Sequence, residues 1–535
     1  MIRFTLILLG CCFGWIQGQA INPKNVVVVV NKRDHDSIDL GYYYALKREV
    51  PIENIVHLEV SEEEQISWDE YLDQIQNPLM SWLLEAGWFE GFGSKRKDDL
   101  GRTVNLVESH KVEAMVICKG LPLRIKNDPN RLPPKESIPE DRWQFYTGRA
   151  SVDSELATLP FPKANLVGFY PNPMYLRTKP RDLFEVNPLV VGRLDGPSYE
   201  AATALIDNAI LAEKEGIAGR AYIDLKGPHQ AGDDWLEATR KLLSSKGYDL
   251  DVHEDVGRFN LVDRFDDPLF YFGWYTGGID GPFTHYDFKF PAGAIALHIH
   301  SFTASSIRNG HQHWVGPLVA RGVTATFGNT SEPYLGLTHQ PHHIMEALYK
   351  GLTVGEAALY SIMGLSWSGI FVGDPLYLPP LGLKMSPKNE YDVLLTANRA
   401  RAAGDESAFK AVVYEHEKAQ HFSTGLWLYS YYVELDDEEK AYEYLQSITR
   451  PSAGETRNWG ILLEIAEGFY RLGFGKRAEL IIEDLLKRTE SKRELEIQLL
   501  VRAVKFAKTH DQSEALEKWS KRLELLTTPT KEKKK

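Results

Sequence analysis

The sequence predicts an α/β region followed by an all-helical one, and three observations carry that prediction. From Ile21 to about Pro380, short β-branched runs alternate with amphipathic helical stretches. The first run, Val26 to Val30, is unbroken and of strand length, as a strand covered on both faces requires. After Pro379-Pro380 the texture changes to long helices. The expected organisation is two α/β halves, 21–180 and 181–380, then helical repeats over 381–526 and a basic, solvated tail over 527–535.

The elements follow in order. Residues 1–20 read as a cleaved signal peptide: Arg3, an apolar run from Phe4 to Trp15, then Gly18-Gln19-Ala20 with small residues at the cleavage positions. Leu8-Leu9-Gly10-Cys11 also resembles a lipoprotein box. An exported protein, periplasmic or at the cell surface, is expected. No later stretch holds about 18 unbroken apolar residues, so no transmembrane segment is expected. Further strands are predicted at Asn54 to Val60, Val112 to Cys118, Leu189 to Val191, Ala221 to Leu225, Leu269 to Phe272, Ala294 to His300 and Val323 to Phe327. Behind the N-cap Ser198, the spacing of Ala202, Leu205, Ile206, Ala209 and Ile210 predicts a helix. A Pro-rich loop (Pro129, Pro133, Pro134, Pro139) and the polar stretch 171–187 place the junction of the two halves near 170–188. In the helical region Ala408, Ala441, Ala478 and Ala515 each follow a short turn, and so small a residue at that period resembles tetratricopeptide-type repeats. Such repeats imply a protein or peptide partner.

Composition removes several functions. The net charge of −13 offers no basic footprint for nucleic acid. Residues 381–535 carry 26 basic and 26 acidic side chains, so the whole excess lies in the α/β part. Of three cysteines, two (Cys11 and Cys12) fall within the predicted signal, which leaves Cys118 with neither a disulfide partner nor a zinc-binding companion. No P-loop, dinucleotide glycine motif, HExxH, EF-hand loop or GxSxG elbow occurs, and no motif calls for a cofactor or a dedicated metal.

The chemistry-bearing block is 269–380. Its strands end in small or polar residues at Gly273-Trp274, His298-Ile-His300-Ser301, Gly328-Asn329 and Gly373-Asp374, and in a parallel sheet such stops gather at the carboxyl edge, where ligands bind. This order of motifs, with Ala150-Ser-Val-Asp-Ser-Glu155 and Gly192-Arg-Leu-Asp195 upstream, resembles the caspase-like sandwich of gingipain-type cysteine peptidases. The chain is similar, more closely, to exported bacterial proteins of unassigned function, through Gly192-Arg-Leu-Asp-Gly196, Gly273-Trp-Tyr-Thr-Gly277, His300-Ser-Phe302, Glu332-Pro-Tyr334 and Gly373-Asp-Pro-Leu-Tyr377.

The departures matter most. Where the resemblance implies a catalytic Cys the chain has Ser301, and where it implies a catalytic His it has Trp274. A thiolate nucleophile is therefore missing, and Cys118 lies in an apolar strand of the other half. The leading expectation is a peptidase homologue with a substituted dyad that binds a peptide or protein without cleaving it. The alternative is a hydrolase using Ser301, with His300 or His313 as base and backbone N–H groups near Gly273 as oxyanion donors. Eight of the 16 histidines fall between His285 and His343, so a metal site with Asp280, Asp287 or Glu332 is a third reading beside locally satisfied histidines. Asn329, Glu332, Arg193, Asp195 and Asp374 complete the candidate binding residues. Arg193 with Asp195 is read chiefly as a structural ion pair, and Asp374 as a turn cap.

Overall fold

A computed structural model describes residues 21–162, 167–178, 186–255, 257–381, 389–405, 407, 409–489 and 492–528. The predicted signal peptide, the basic tail from residue 529, Ala408 and part of the polar stretch 171–187 lie outside the described residues.

Ten strands form one sheet: β1 (Val26–Asn31), β2 (Ile55–Leu58), β3 (Ala114–Cys118), β4 (Val190–Leu194), β5 (Arg220–Asp224), β6 (Leu250–His253), β7 (Pro268–Gly273), β8 (Ile295–His298), β9 (Ala325–Asn329) and β10 (Gly369–Gly373). Their order across the sheet is β6-β5-β7-β8-β9-β10-β4-β3-β1-β2. Within each half the neighbouring strands are parallel, and β9 with β10 is antiparallel. The α/β class and a mostly parallel sheet are thus as the apolar runs predict, since all eight predicted strands belong to it.

The topology has an internal echo. The first half orders its strands β2-β1-β3-β4, and the second orders its strands β6-β5-β7-β8. Each is the second, first, third and fourth strand of its own half. The antiparallel β9–β10 pair joins the two, and Arg308, just beyond β8, reaches Asp195 beyond β4 at 2.9 Å and the Leu121 carbonyl beyond β3 at 2.7 Å, so both carboxyl edges lie at the same end of the sheet. Because β4 pairs with β3, the change of half follows Leu194 rather than falling near 181. Buried β-branched runs drive this, with Val26 to Val30 fully covered.

Helices cover both faces. Asp34 caps α1 (His35–Arg48), Ser198 caps α2 (Tyr199–Glu215), and α3 (Gln230–Ser245) follows β5. The C-terminal region contains α4 (Glu390–Ala402), α5 (Phe409–Ala419), α6 (Phe422–Glu434), α7 (Glu438–Ser447), α8 (Trp459–Arg471), α9 (Gly475–Lys487), α10 (Arg493–Thr509) and α11 (Ser513–Thr527). They pack as successive hairpins α6/α7, α8/α9 and α10/α11, and Ala441, Ala478 and Ala515 are each buried on the second helix of one. A small side chain there allows close helix approach, the reason for its period in the sequence.

The helical array is docked firmly on the α/β region. A Cβ on Gly460 of α8 would lie 2.2 Å from the Arg264 backbone nitrogen, so the two backbones meet there. Arg264 bridges Asp266 and Glu464, Arg502 reaches Asp263 at 2.9 Å, and Leu261 N–H donates to Gln498 at 3.0 Å. Among the described residues no helix is long and apolar enough to cross a membrane.

Candidate functional site

The carboxyl edge of the second half is built from four strand ends in lateral register. His253, Asp224, Gly273 and His298 are successive partners across β6, β5, β7 and β8. Lateral partners in parallel strands share a face, so three titratable groups stand in one row with a glycine between them. The glycine is required: a Cβ on Gly273 would lie 2.7 Å from Asp224 Cβ and 2.8 Å from Tyr271 Oη. Its absence lets the Tyr271 phenol lean between Asp224 and His298.

The bonding fixes protons along this row. Thr276 N–H donates to His298 Nε2 at 2.9 Å, so Nε2 is unprotonated and Nδ1 carries the hydrogen toward Tyr271 Oη, also at 2.9 Å. His298 is buried, its ring stacked 3.7 Å from that of Trp314, and burial holds its pKa well below the usual range. It is a neutral structural imidazole. At the other end His253 Nδ1 meets Asp224 Oδ1 at 2.8 Å. Burial pushes the Asp224 carboxyl up to about 6 and leaves its Oδ2 without a hydrogen-bond partner. Burial pulls His253 down, but the bond to Asp224 more than offsets this and holds it above the usual range.

Ser301 lies beyond β8, three residues past its end. Its hydroxyl donates to Glu332 Oε2 at 2.5 Å, while Glu332 Oε1 accepts from Tyr334 N–H at 3.0 Å. His300 turns its Nδ1 to the Ser301 carbonyl oxygen, 2.6 Å away, and packs its ring against Tyr275. No histidine nitrogen reaches the Ser301 hydroxyl among the described contacts. The exposed aromatic residues here are Tyr275 (43 %), Phe302 (41 %) and Tyr334 (40 %), which rim the Ser301–Glu332 pair. Asn329 ends β9 nearby, where its backbone N–H donates to Thr303 Oγ1 at 3.0 Å and its buried side-chain carbonyl is unpartnered.

Other expected residues lie elsewhere. Trp274 neither covers Ser301 nor lines an open pocket: it is fully buried over the start of α3, donating from Nε1 to Asp233 at 2.9 Å. Gly227 and Gly232 make its room, since a Cβ on either would lie within 2.1 Å of the indole. Gly273 is enclosed in the sheet, its carbonyl accepting from Ile299 N–H at 2.7 Å. Arg193 and Asp195 sit on the first half's edge. Arg193 forks onto Asp153 at 2.9 and 2.5 Å, with Asp195 at 3.4 Å; Arg308 holds Asp195 from the other side at 2.9 Å. Asp374 is a correction. Antiparallel β10 sends it to the end of the sheet opposite Asn329, where Tyr44 Oη donates to it at 2.8 Å and Arg48 at 2.5 Å. There it also caps its own turn through Leu376 N–H at 3.0 Å.

The histidines between 285 and 343 do not converge. His285 bridges Leu261 O and Thr456 Oγ1 at 3.0 Å each, His339 is buried and held down to about 3, and His343 pairs with Glu346 at 3.1 Å. Among the described residues no group of three or more His, Cys, Asp and Glu is placed to hold a metal ion, so the metal reading has no geometry behind it. Asp224, His253 and Tyr271 are the site residues that sequence reasoning overlooks. Asp224 stands inside a predicted strand, but only lateral register joins it to His253.

No protein-family model matches the chain, and neither a curated protein nor a solved structure matches it.

Proposed function

We propose that this chain is an exported, gingipain-related peptidase homologue that has lost hydrolysis and binds an extended peptide at the carboxyl edge of its second half. The observation that carries the reading is the commitment of the Ser301 hydroxyl to Glu332 rather than to an imidazole. A serine nucleophile needs a base that withdraws its proton during attack, and an ordinary carboxylate is a weak base at neutral pH. His298 cannot supply one, because its Nε2 lone pair is taken by Thr276 N–H, its Nδ1 faces Tyr271, and burial disfavours the protonated ring that a base must become.

The rim supports binding. Tyr275, Phe302 and Tyr334 offer rigid, partly exposed aromatic surface around a polar centre, the composition that dominates peptide recognition. The excess negative charge of the α/β region favours a basic segment. The test is a display selection with random basic peptides, followed by titration and mass analysis of the recovered peptide. The reading expects binding that Tyr275→Ala weakens about tenfold, with the peptide recovered intact. Recovery of cleaved peptide that depends on Ser301 overturns it.

A further inference from the structure

We propose that the cavity against Phe145 captures the C-terminal carboxylate of a peptide whose last residue is large and apolar. The proposal rests on the reading above for the peptide's course along the Ser301 edge, and names where that peptide ends.

The cavity holds about 480 Å³, a volume suited to one or two peptide residues. The Pro-rich segment before β4 builds one side of it, through Ile138, Pro139 and the short helical turn Glu140–Phe145. That side is braced: Tyr146 Oη donates to Pro133 O at 2.6 Å, and Trp143 Nε1 to Ile138 O at 3.0 Å. Phe169, Tyr170 and Pro171 form the other side, where Tyr170 and Pro171 pair antiparallel with Leu365 and Gly364. Phe145 ties the two together, its ring edge-on to Phe169 at 5.2 Å and to Trp367 at 5.9 Å. Rings and prolines held in this way lose little freedom when a ligand arrives.

The wall's charge indicates what enters. Arg142 is the one charged residue among the described residues that line the cavity. It is exposed, and its side chain has neither an ion pair nor a hydrogen bond among the described residues. The Ser366 hydroxyl, by contrast, is already bonded to Glu155. An apolar cavity with a single accessible, unmatched cation takes apolar surface and one negative charge together. An internal Leu or Phe brings the first without the second, and an internal Asp or Glu the second without the first. Only the last residue of a chain carries both on one α-carbon. The guanidinium donates two parallel N–H bonds to such a carboxylate while the side chain fills the cavity.

Tyr334 joins this cavity to the Ser301–Glu332 pair. Its backbone N–H donates to Glu332 Oε1 at 3.0 Å, its ring stands edge-on to Phe145 at 5.3 Å, and its phenol donates to Gln144 O at 2.9 Å. Phe145 is thus shared by the cavity and the aromatic rim. A few extended residues, at about 3.3 Å each, cover the span between Ser301 and Arg142.

The test uses the full chain. A soluble library of random octapeptides with free carboxyl termini is incubated with it, and bound peptides are sequenced by mass spectrometry. The most enriched one, labelled at its N-terminus, is titrated by fluorescence anisotropy. Leu, Ile, Phe or Tyr should be enriched at the last position. Amidating that terminus should weaken binding at least about tenfold, the loss of a charge-assisted hydrogen-bonded pair. Arg142→Glu should weaken the free acid at least as much and bind the amide as wild type does, with the melting temperature unchanged. The wild-type comparison of acid with amide decides the matter if that variant fails to fold. A peptide that loses affinity with Arg142→Glu but not with Tyr275→Ala upholds the cavity and overturns the Ser301-edge reading. The proposal itself is overturned if acid and amide bind alike, if Arg142→Glu leaves the acid's affinity unchanged, or if decanoate displaces the peptide with equal affinity, which would make this a site for free hydrophobic acids.

Discussion

The two halves of the sheet repeat one strand order yet finish their carboxyl edges differently. On the first, Arg193 is fully buried and forked onto Asp153, Asp195 lies between Arg193 and Arg308, and backbone carbonyls of Leu121 and Pro122 take the remaining guanidinium donors. Each of these charges has a partner. On the second, His253 pairs with Asp224 at 2.8 Å, burial keeps His298 neutral, Asp224 Oδ2 is unpartnered, and partly exposed aromatic residues stand beside them. The difference accords with a structural role for Arg193 and Asp195 and with the binding proposed for the second half's edge.

The largest test of this contrast is Arg193→Leu. It strands Asp153 without its cation while Asp195 keeps Arg308, and loss of one partner of a buried pair costs about 3–5 kcal/mol. Urea unfolding should show that loss, whereas His298→Leu on the second half's edge should cost only about 1–3 kcal/mol, the penalty of unsatisfied neutral partners.

Next in size is the packing that displaces Trp274 from the site. Gly232→Ala places a Cβ 2.0 Å from the indole. Overpacking of that kind costs about 1–3 kcal/mol, and Trp274→Leu in the same chain should relieve part of it. Additive losses in thermal unfolding would break the assignment.

Then comes pH. The Asp224 carboxyl is raised to about 6 in the fold, so the folded chain holds more protons than the unfolded one between the two values. Its contribution is full below about pH 4 and is lost as pH rises through 6, by at most about 3 kcal/mol. His253, also raised, acts in the same sense at higher pH. His298 opposes them, since a lowered imidazole stabilises above about pH 6.5 and loses that contribution as pH falls. Asp224→Asn should therefore gain on wild type as pH rises from 4 to 7, measured as the difference in melting temperature. A difference constant with pH would remove Asp224 from the titrating row.

The sequence made the sheet readable because apolar runs such as Val26 to Val30 stay buried on both faces. β6 escaped because Asp249 and Asp251 break its run, and both are there to meet Arg220, each at 2.8 Å. Strand direction is not written locally at all. Gly369–Gly373 looks like its neighbours yet runs the other way, and Asp374 went with it. Ser301 was visible as a polar stop, but its partner is 31 residues distant and comes within reach only through the fold. The Asp224–His253 pair was hidden for the same reason, since lateral register has no signature along the chain.

The central claim is that Ser301 is bonded to a carboxylate and is not an activated nucleophile. A fluorophosphonate probe incubated with the full chain at pH 7.5, with Ser301→Ala and a known serine hydrolase in parallel, tests it directly. The account predicts no label on the protein and full label on the control. Stoichiometric labelling lost in Ser301→Ala would contradict it.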